Sequence, residues 1–163
     1  MSEISVTEFI DVRERARALA LPDVDDLALL PLGFLDAPPS GPTIHQEATT
    51  IRKLLREADV AIQVLGEAPD SQTTILKSAD WIAPIVFVSA GLWSQNALAV
   101  QVAIDVIGSY ATDMFKGVLP TKPVKLSIAV ESTKGRSTKL LTYEGPAEGL
   151  GTIADAIERI ANE

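Results

Sequence analysis

The chain contains no cysteine, which excludes a disulfide framework, thiolate catalysis, zinc fingers and iron–sulfur clusters. It has one histidine, His45, so a metal site built from several imidazoles is excluded too. Bases are scarce: 14 Lys and Arg stand against 22 Asp and Glu, for a net charge of −8. A chain this acidic is repelled by phosphate backbones, so nucleic acid is not an expected partner. The opening residues, MSEISVTEFIDVRERARALAL, lack a basic stretch followed by an apolar core. No secretory signal is therefore expected, and a reducing cytoplasm is the simplest compartment.

What is present is the composition of a folded domain. The 163 residues are 47% hydrophobic and 22% charged, enough for a real core and too apolar for a disordered chain. Charge is unevenly spread. Residues 1–113 carry −9, residues 114–143 carry +5, and residues 144–163 carry −4. The positive stretch contains Lys125, Lys134, Arg136 and Lys139.

Ser5-Val-Thr-Glu8 has the spacing of a capping box, and Val6, Phe9, Ile10, Val12, Ala16 and Leu19 follow at roughly helical intervals. This predicts a first helix over 6–20, stopped by Pro22. The next stretch, through Pro31, Pro38, Pro39 and Pro42, reads as an irregular connector pinned by its apolar residues or as an extended arm. The arm is favoured, which divides the chain into an N-terminal helix with connector (1–42) and one α+β domain (43–163). Thr43 opens a second helix with Ile44, Ala48, Ile51 and Leu55 as its stripe. Val60–Val64 alternates as a short strand, and Gly66–Gln72 is the loop after it.

The uncharged run between Asp80 and Asp105 spans 24 residues, long enough to cross a bilayer. Pro84, Gln95, Asn96 and Gln101 interrupt it, and Ser94-Gln-Asn96 has the character of a helix start that splits it. Either two buried helices or a strand-like segment, Ile85–Ser89, followed by a helix over 95–116 closed by Gly117 fits the pattern better than a membrane span. From Val124, apolar Val124, Leu126, Ile128 and Val130 alternate with Lys125, Ser127, Ala129 and Glu131, a strand with one dry face. Ser132–Arg136 is turn chemistry around Gly135, Thr138–Tyr143 returns, and Gly145-Pro146 ends the hairpin. A last helix over 151–162 aligns Ile153, Ile157 and Ile160. The order implies an α+β fold, with helices packed on a small, mostly antiparallel sheet that ends in a β-hairpin and a helix.

No catalytic constellation emerges. His45 has no nucleophile and orienting partner placed beside it by sequence. Asp23, Asp25 and Asp26 lack the glycine and distal glutamate of a calcium loop. Gly145–Gly151 has neither dinucleotide-binding nor P-loop spacing and reads as a turn. Trp81 and Trp93 bracket the uncharged run as core or rim aromatics. No cofactor is expected. Lys125, Lys134, Arg136 and Lys139 form a candidate anion site on the hairpin. Phe9, Ile10, Arg13 and Leu19 form a candidate partner-binding stripe on the first helix, for another protein or a second copy of this chain.

From Val60 to Ile160 the chain resembles the effector-associated constant component proteins of bacterial conflict systems. The carrying features are the short strand, the helical region IAPIVFVSAGLWSQNALAVQVAIDVIGSYA, the hairpin VKLSIAVESTKGRSTKLLTYEGP with Thr133–Arg136 at its turn, and the helix GLGTIADAIERI. The resemblance implies a non-enzymatic adaptor or regulatory module of a multi-component system, with antiviral defence as its setting. It carries over no catalytic residue, and residues 1–42 lie outside it. Two other readings remain, an anionic-ligand sensor or small enzyme using the basic hairpin, and membrane association through residues 81–104.

Overall fold

The computed structural model describes residues 3–31, 34, 44–45, 48–65, 73–74, 81–82, 85–114, 124–132, 137–146, 149 and 152–162. Its spine is the expected hairpin. Strands β8 (Val124–Glu131) and β9 (Thr138–Gly145) pair antiparallel along their whole length. The basic turn between them, with Lys134, Gly135 and Arg136, lies outside the described residues. On the far side of β8, β6 (Trp81–Ile82) and β7 (Val86–Val88) pair parallel with it, one after the other along the same edge. Next come β2 (Leu27–Leu29), antiparallel to β7, and β4 (Gln63–Val64), parallel to β2. On the other flank β1 (Glu3–Phe9) lies antiparallel to β9 and closes a seven-stranded mixed sheet. Two further short strands, β3 (Ile44–His45) and β5 (Thr73–Thr74), form a separate parallel pair. With helices α1 (Val12–Ala18), α2 (Ala48–Glu57), α3 (Ala90–Met114) and α4 (Ile153–Ala161), the architecture is α+β.

The centre of the sheet is dry on both sides. Leu27, Leu29, Val86, Val88, Leu126, Ile128, Val130, Leu141 and Tyr143 meet α2, α3 and α4 in one core. Ala28, Leu30, Phe87 and Ala129 point the opposite way into a second core with Val12, Ala16, Val24, Phe34 and Leu65. The alternation along β8 therefore marks one apolar face, while small Ala129 is buried on the other.

Residues 6–20 are not one helix. Residues 3–9 form strand β1, and the helix begins only at Val12, capped by Asp11, whose Oδ1 accepts the Glu14 N–H at 3.1 Å. Ser5 and Glu8 mimic a capping box, but Ile4, Val6 and Thr7 are β-branched and β9 offers them a ladder. The arm reading is corrected as well. Val24, Leu27, Leu29, Leu30 and Phe34 are buried, and β2 lies inside the sheet between β7 and β4. Residues 3–31 thus belong to the same folded unit as the hairpin. Pro38, Pro39 and Pro42 lie outside the described residues, as do Thr43, the loop Gly66–Gln72 and Gly117.

The second helix starts at Ala48 and buries Ala48, Ile51 and Leu55 as expected, whereas Ile44 sits in β3. The uncharged run divides into β6, β7 and α3, as the strand-plus-helix reading has it except that the helix starts at Ala90 and not at residue 95. Within α3, Asn96 leaves helical geometry (φ −152°, ψ 66°), and its Oδ1 accepts the Ala99 N–H at 3.2 Å, restarting the helix as an N-cap. In α4 the residues Ile153, Ile157 and Ile160 are buried, as their spacing implies. The hydroxyl of Tyr143 donates to the Pro146 carbonyl. A Cβ at Gly149 would collide with that same hydroxyl, so glycine is required there.

Helices α1 and α2 end in the same way. Ala20 N–H bonds Arg17 O and Leu21 N–H bonds Ala16 O, while Asp59 N–H bonds Arg56 O and Val60 N–H bonds Leu55 O. These are Schellman ends with left-handed residues at Ala20 (φ 57°) and Asp59 (φ 63°). Neither is glycine. Substituting Ala20→Gly or Asp59→Gly is expected to stabilise the protein by about 0.5–1 kcal/mol each, because a Cβ in this conformation costs roughly 1–2 kcal/mol and glycine's unfolded-state entropy returns part of the gain. Thermal melts would show an upward shift for both. Conversely, Ile128→Asp places an unpaired carboxylate where exposure is 1% and is expected to cost about 3–5 kcal/mol. A melting temperature close to the parent's would contradict the inward placement of Ile128.

Candidate functional site

The carboxyl ends of β7 and β8 carry a polar network. Ser89, buried, follows β7 directly; its Oγ donates to Asp26 Oδ1 at 2.7 Å and accepts the Leu92 N–H at 3.1 Å, capping α3. Glu131, the last residue of β8, accepts the Ala90 N–H on Oε1 at 3.2 Å and Arg13 Nε on Oε2 at 3.1 Å. Arg13 also donates from Nη1 to Val24 O at 2.8 Å and lies 5.5 Å from the Phe87 ring centre. A helix start at the end of parallel strands is a ready anion site. Here the protein's own carboxylate fills it.

Beside this network is a cleft of about 400 Å³. It is lined by Asp25, Asp26, Asp59, Gln63, Leu92 and Asn96, among others. Gln63 fixes one rim, accepting Asp25 N–H and donating to Asp23 O, both at 2.9 Å. Three carboxylates give the cleft the wrong sign for an anion.

Of the residues expected to hold an anion, the two that are described, Lys125 and Lys139, are not gathered. Lys125 stands opposite Glu144 and Lys139 opposite Val130, five rungs apart on the ladder, or about 17 Å. Lys134 and Arg136 lie outside the described residues. The expected partner stripe is likewise dispersed. Phe9 ends β1 and packs partly on the second core, with Leu19 nearby. Arg13 is engaged by Glu131 and Val24. Ile10 alone of the four is left as an exposed large apolar side chain. His45 is placed by its backbone in β3.

Among the described residues, three of the four exposed large apolar side chains, Ile4, Val6 and Ile10, follow β1; the fourth, Leu98, stands alone on α3. Ile4 and Val6 stand opposite Tyr143 and Leu141, which are fully buried. Helix α4 covers β8 and β9, and the apolar cover stops there. Ile4 is 39% exposed, Val6 46% and Ile10 39%. β1 is the edge of the sheet and seven residues long, without proline, lysine or arginine. Natural edge strands are usually blunted by such residues or by bulges. The register with β9 is unbroken from Glu3 to Phe9. The clue in the sequence was the alternation Ile4, Val6 with Ser5, Thr7, hidden by the helix-like spacing that follows it.

No family model, curated protein or solved structure matches the chain. Among the described residues, no helix is long and apolar enough to cross a membrane. Among them, too, no group of three or more His, Asp or Glu side chains is arranged to hold a metal ion.

Glu131 joins three elements, so its removal has a defined cost. Glu131→Ala leaves the Ala90 N–H and Arg13 without their acceptor and is expected to destabilise by about 1–3 kcal/mol. Glu131→Gln, which keeps an acceptor oxygen for Ala90, should recover part of that loss. Denaturant titration of both variants checks the ordering; equal stability of the two would show that the bond to the Ala90 N–H contributes nothing, and a Gln variant as stable as the parent would show that the charge contributes nothing.

Proposed function

We propose that the chain is a non-enzymatic interaction module, an adaptor or regulatory subunit of a multi-component bacterial system, and that it meets its partner along β1. The carrying observation is the open edge: a regular, seven-residue outer strand with exposed Ile4 and Val6 beside the fully buried Tyr143 and Leu141 of β9. An edge of this kind takes an added strand, with backbone hydrogen bonds giving affinity and alternate side chains giving selectivity. The resemblance of residues 60–160 to the effector-associated constant component proteins supports the same reading, with antiviral defence in the bacterial cytoplasm as its setting. A composition without cysteine and with a single histidine offers few groups for catalysis and agrees with a binding role.

The test uses Ile4→Lys together with Val6→Lys. Both positions are exposed, so the melting temperature should stay within a few degrees of the parent. Lysine on an edge strand discourages strand addition. Tagged parent and variant purified from the producing cell should then differ, with the parent retaining its partner protein and the variant losing it. Recovery of the same partner in the same yield by the folded variant would refute β1 as the docking edge.

A further inference from the structure

We infer that the segment docking on β1 is an extended, cationic strand of a partner protein, basic where it faces Glu3 and Glu8 and apolar at the two positions facing Ile4 and Val6. The inference rests on reading β1 as the docking edge and adds the chemistry of what docks there.

The side chains of a strand alternate between faces, so Ile4, Val6 and Glu8 share one face of β1 and Glu3, Ser5 and Thr7 the other. A strand laid along the outer edge brings one residue opposite each. Two apolar residues with one between them would meet Ile4 and Val6 and dry that strip. The residues opposite Glu3 and Glu8 lie five positions apart. The recognised pattern is therefore basic, apolar, polar, apolar, polar, basic, read from Glu3 to Glu8 for a parallel strand and reversed for an antiparallel one.

Charge decides between this occupant and a second copy. Residues 3–12 contain Glu3, Glu8 and Asp11 and no base. The first base after them, Arg13, is held by Glu131. Within the sheet Glu3 stands directly opposite Glu144, whose other neighbour is Lys125; like charges directly opposite are unfavourable, and a cation on the open side would give Glu3 the opposite charge that Lys125 sets beside Glu144. Glu8 stands opposite Lys139, so a base on its outer side would complete a row of alternating sign. A second copy would bring the same acids and another net charge of −8 to this edge. Opposite charge across the junction gives selectivity and faster association, both of which weaken with salt.

The probes are short synthetic peptides titrated against the full chain by fluorescence anisotropy. One carries Lys-Val-Thr-Val-Thr-Lys, a second has the same composition with the valines adjacent, Lys-Val-Val-Thr-Thr-Lys, and a third is acidic, Glu-Val-Thr-Val-Thr-Glu. The alternating basic peptide should bind about tenfold tighter or more than either control, less tightly at raised salt. Glu3→Lys with Glu8→Lys should reverse the preference toward the acidic peptide, and Ile4→Lys with Val6→Lys should abolish binding. Equal binding of the two basic peptides would mean diffuse attraction to an acidic protein and would overturn the inference, as would equal binding of the acidic one. A parent dimer in sedimentation velocity that Ile4→Lys with Val6→Lys dissolves and the basic peptide does not would assign the edge to a second copy and overturn it too. If the Ile4, Val6 variant loses its cellular partner while the peptides show no preference, the docking edge stands and its cationic occupant falls. If the variant keeps its partner, the edge itself fails and the inference with it.

Discussion

Phe87, in the middle of β7, is fully buried on the face of the sheet turned away from α2, α3 and α4. Its register partner Ala129 is buried beside it, so the central strands have no wet side. A sheet of this kind must be covered twice. The three longer helices cover one face. The other is covered by α1, seven residues long, and by the irregular chain that follows it. A helix of that length does not persist alone in water; it is held from outside. Asp11 caps it, the Schellman turn at Ala20 ends it, and Arg15 reaches the Phe34 carbonyl at 2.8 Å. Residues that read as a detachable arm are half of what keeps the sheet dry.

Arg13 shows how this cover is locked. One guanidinium lies near the Phe87 ring, bonds the Val24 carbonyl and pairs with Glu131, whose second oxygen takes the first free N–H of α3. The cover on one face and the helix start on the other are thus joined through a single carboxylate at the end of β8. The same arrangement fills the place where an anion would otherwise sit, and the neighbouring cleft, with Asp25, Asp26 and Asp59, is acidic. The chemistry at this end of the sheet is inward and structural. The open surface is at the opposite flank, on β1.

Much of the architecture was legible from local pattern. The alternation at Leu126, Ile128 and Val130, the spacing of Ile153, Ile157 and Ile160, and the break at Ser94–Asn96 are each decided by neighbours a few residues away. The misreadings share a different cause. β1 is a strand because β9 lies beside it, and no local signal reports a partner so distant in the chain. The four apolar residues Leu27–Leu30 between Asp26 and Pro31 did carry the mark of a strand buried on both faces, outweighed by the prolines around them. Arg13 and Glu131 are separated by 118 positions, and nothing in either segment announces the other. The candidate edge was hardest to see, since Ile4 and Val6 are ordinary residues whose meaning depends on where the helical cover stops.

The pairing of β1 with β9 has a consequence for how the chain is made. Val6 and Leu141 are register partners 135 positions apart, so β1 leaves the ribosome well before its ladder partner. Until β9 follows, Ile4, Val6 and Phe9 lack the strand they join. The entropy of closing so long a loop, although it grows only with the logarithm of length, must be met before the ladder forms. The apolar positions of β1 are flanked by Glu3, Glu8 and Asp11, and charges so placed disfavour non-native strand pairing in an unfolded chain.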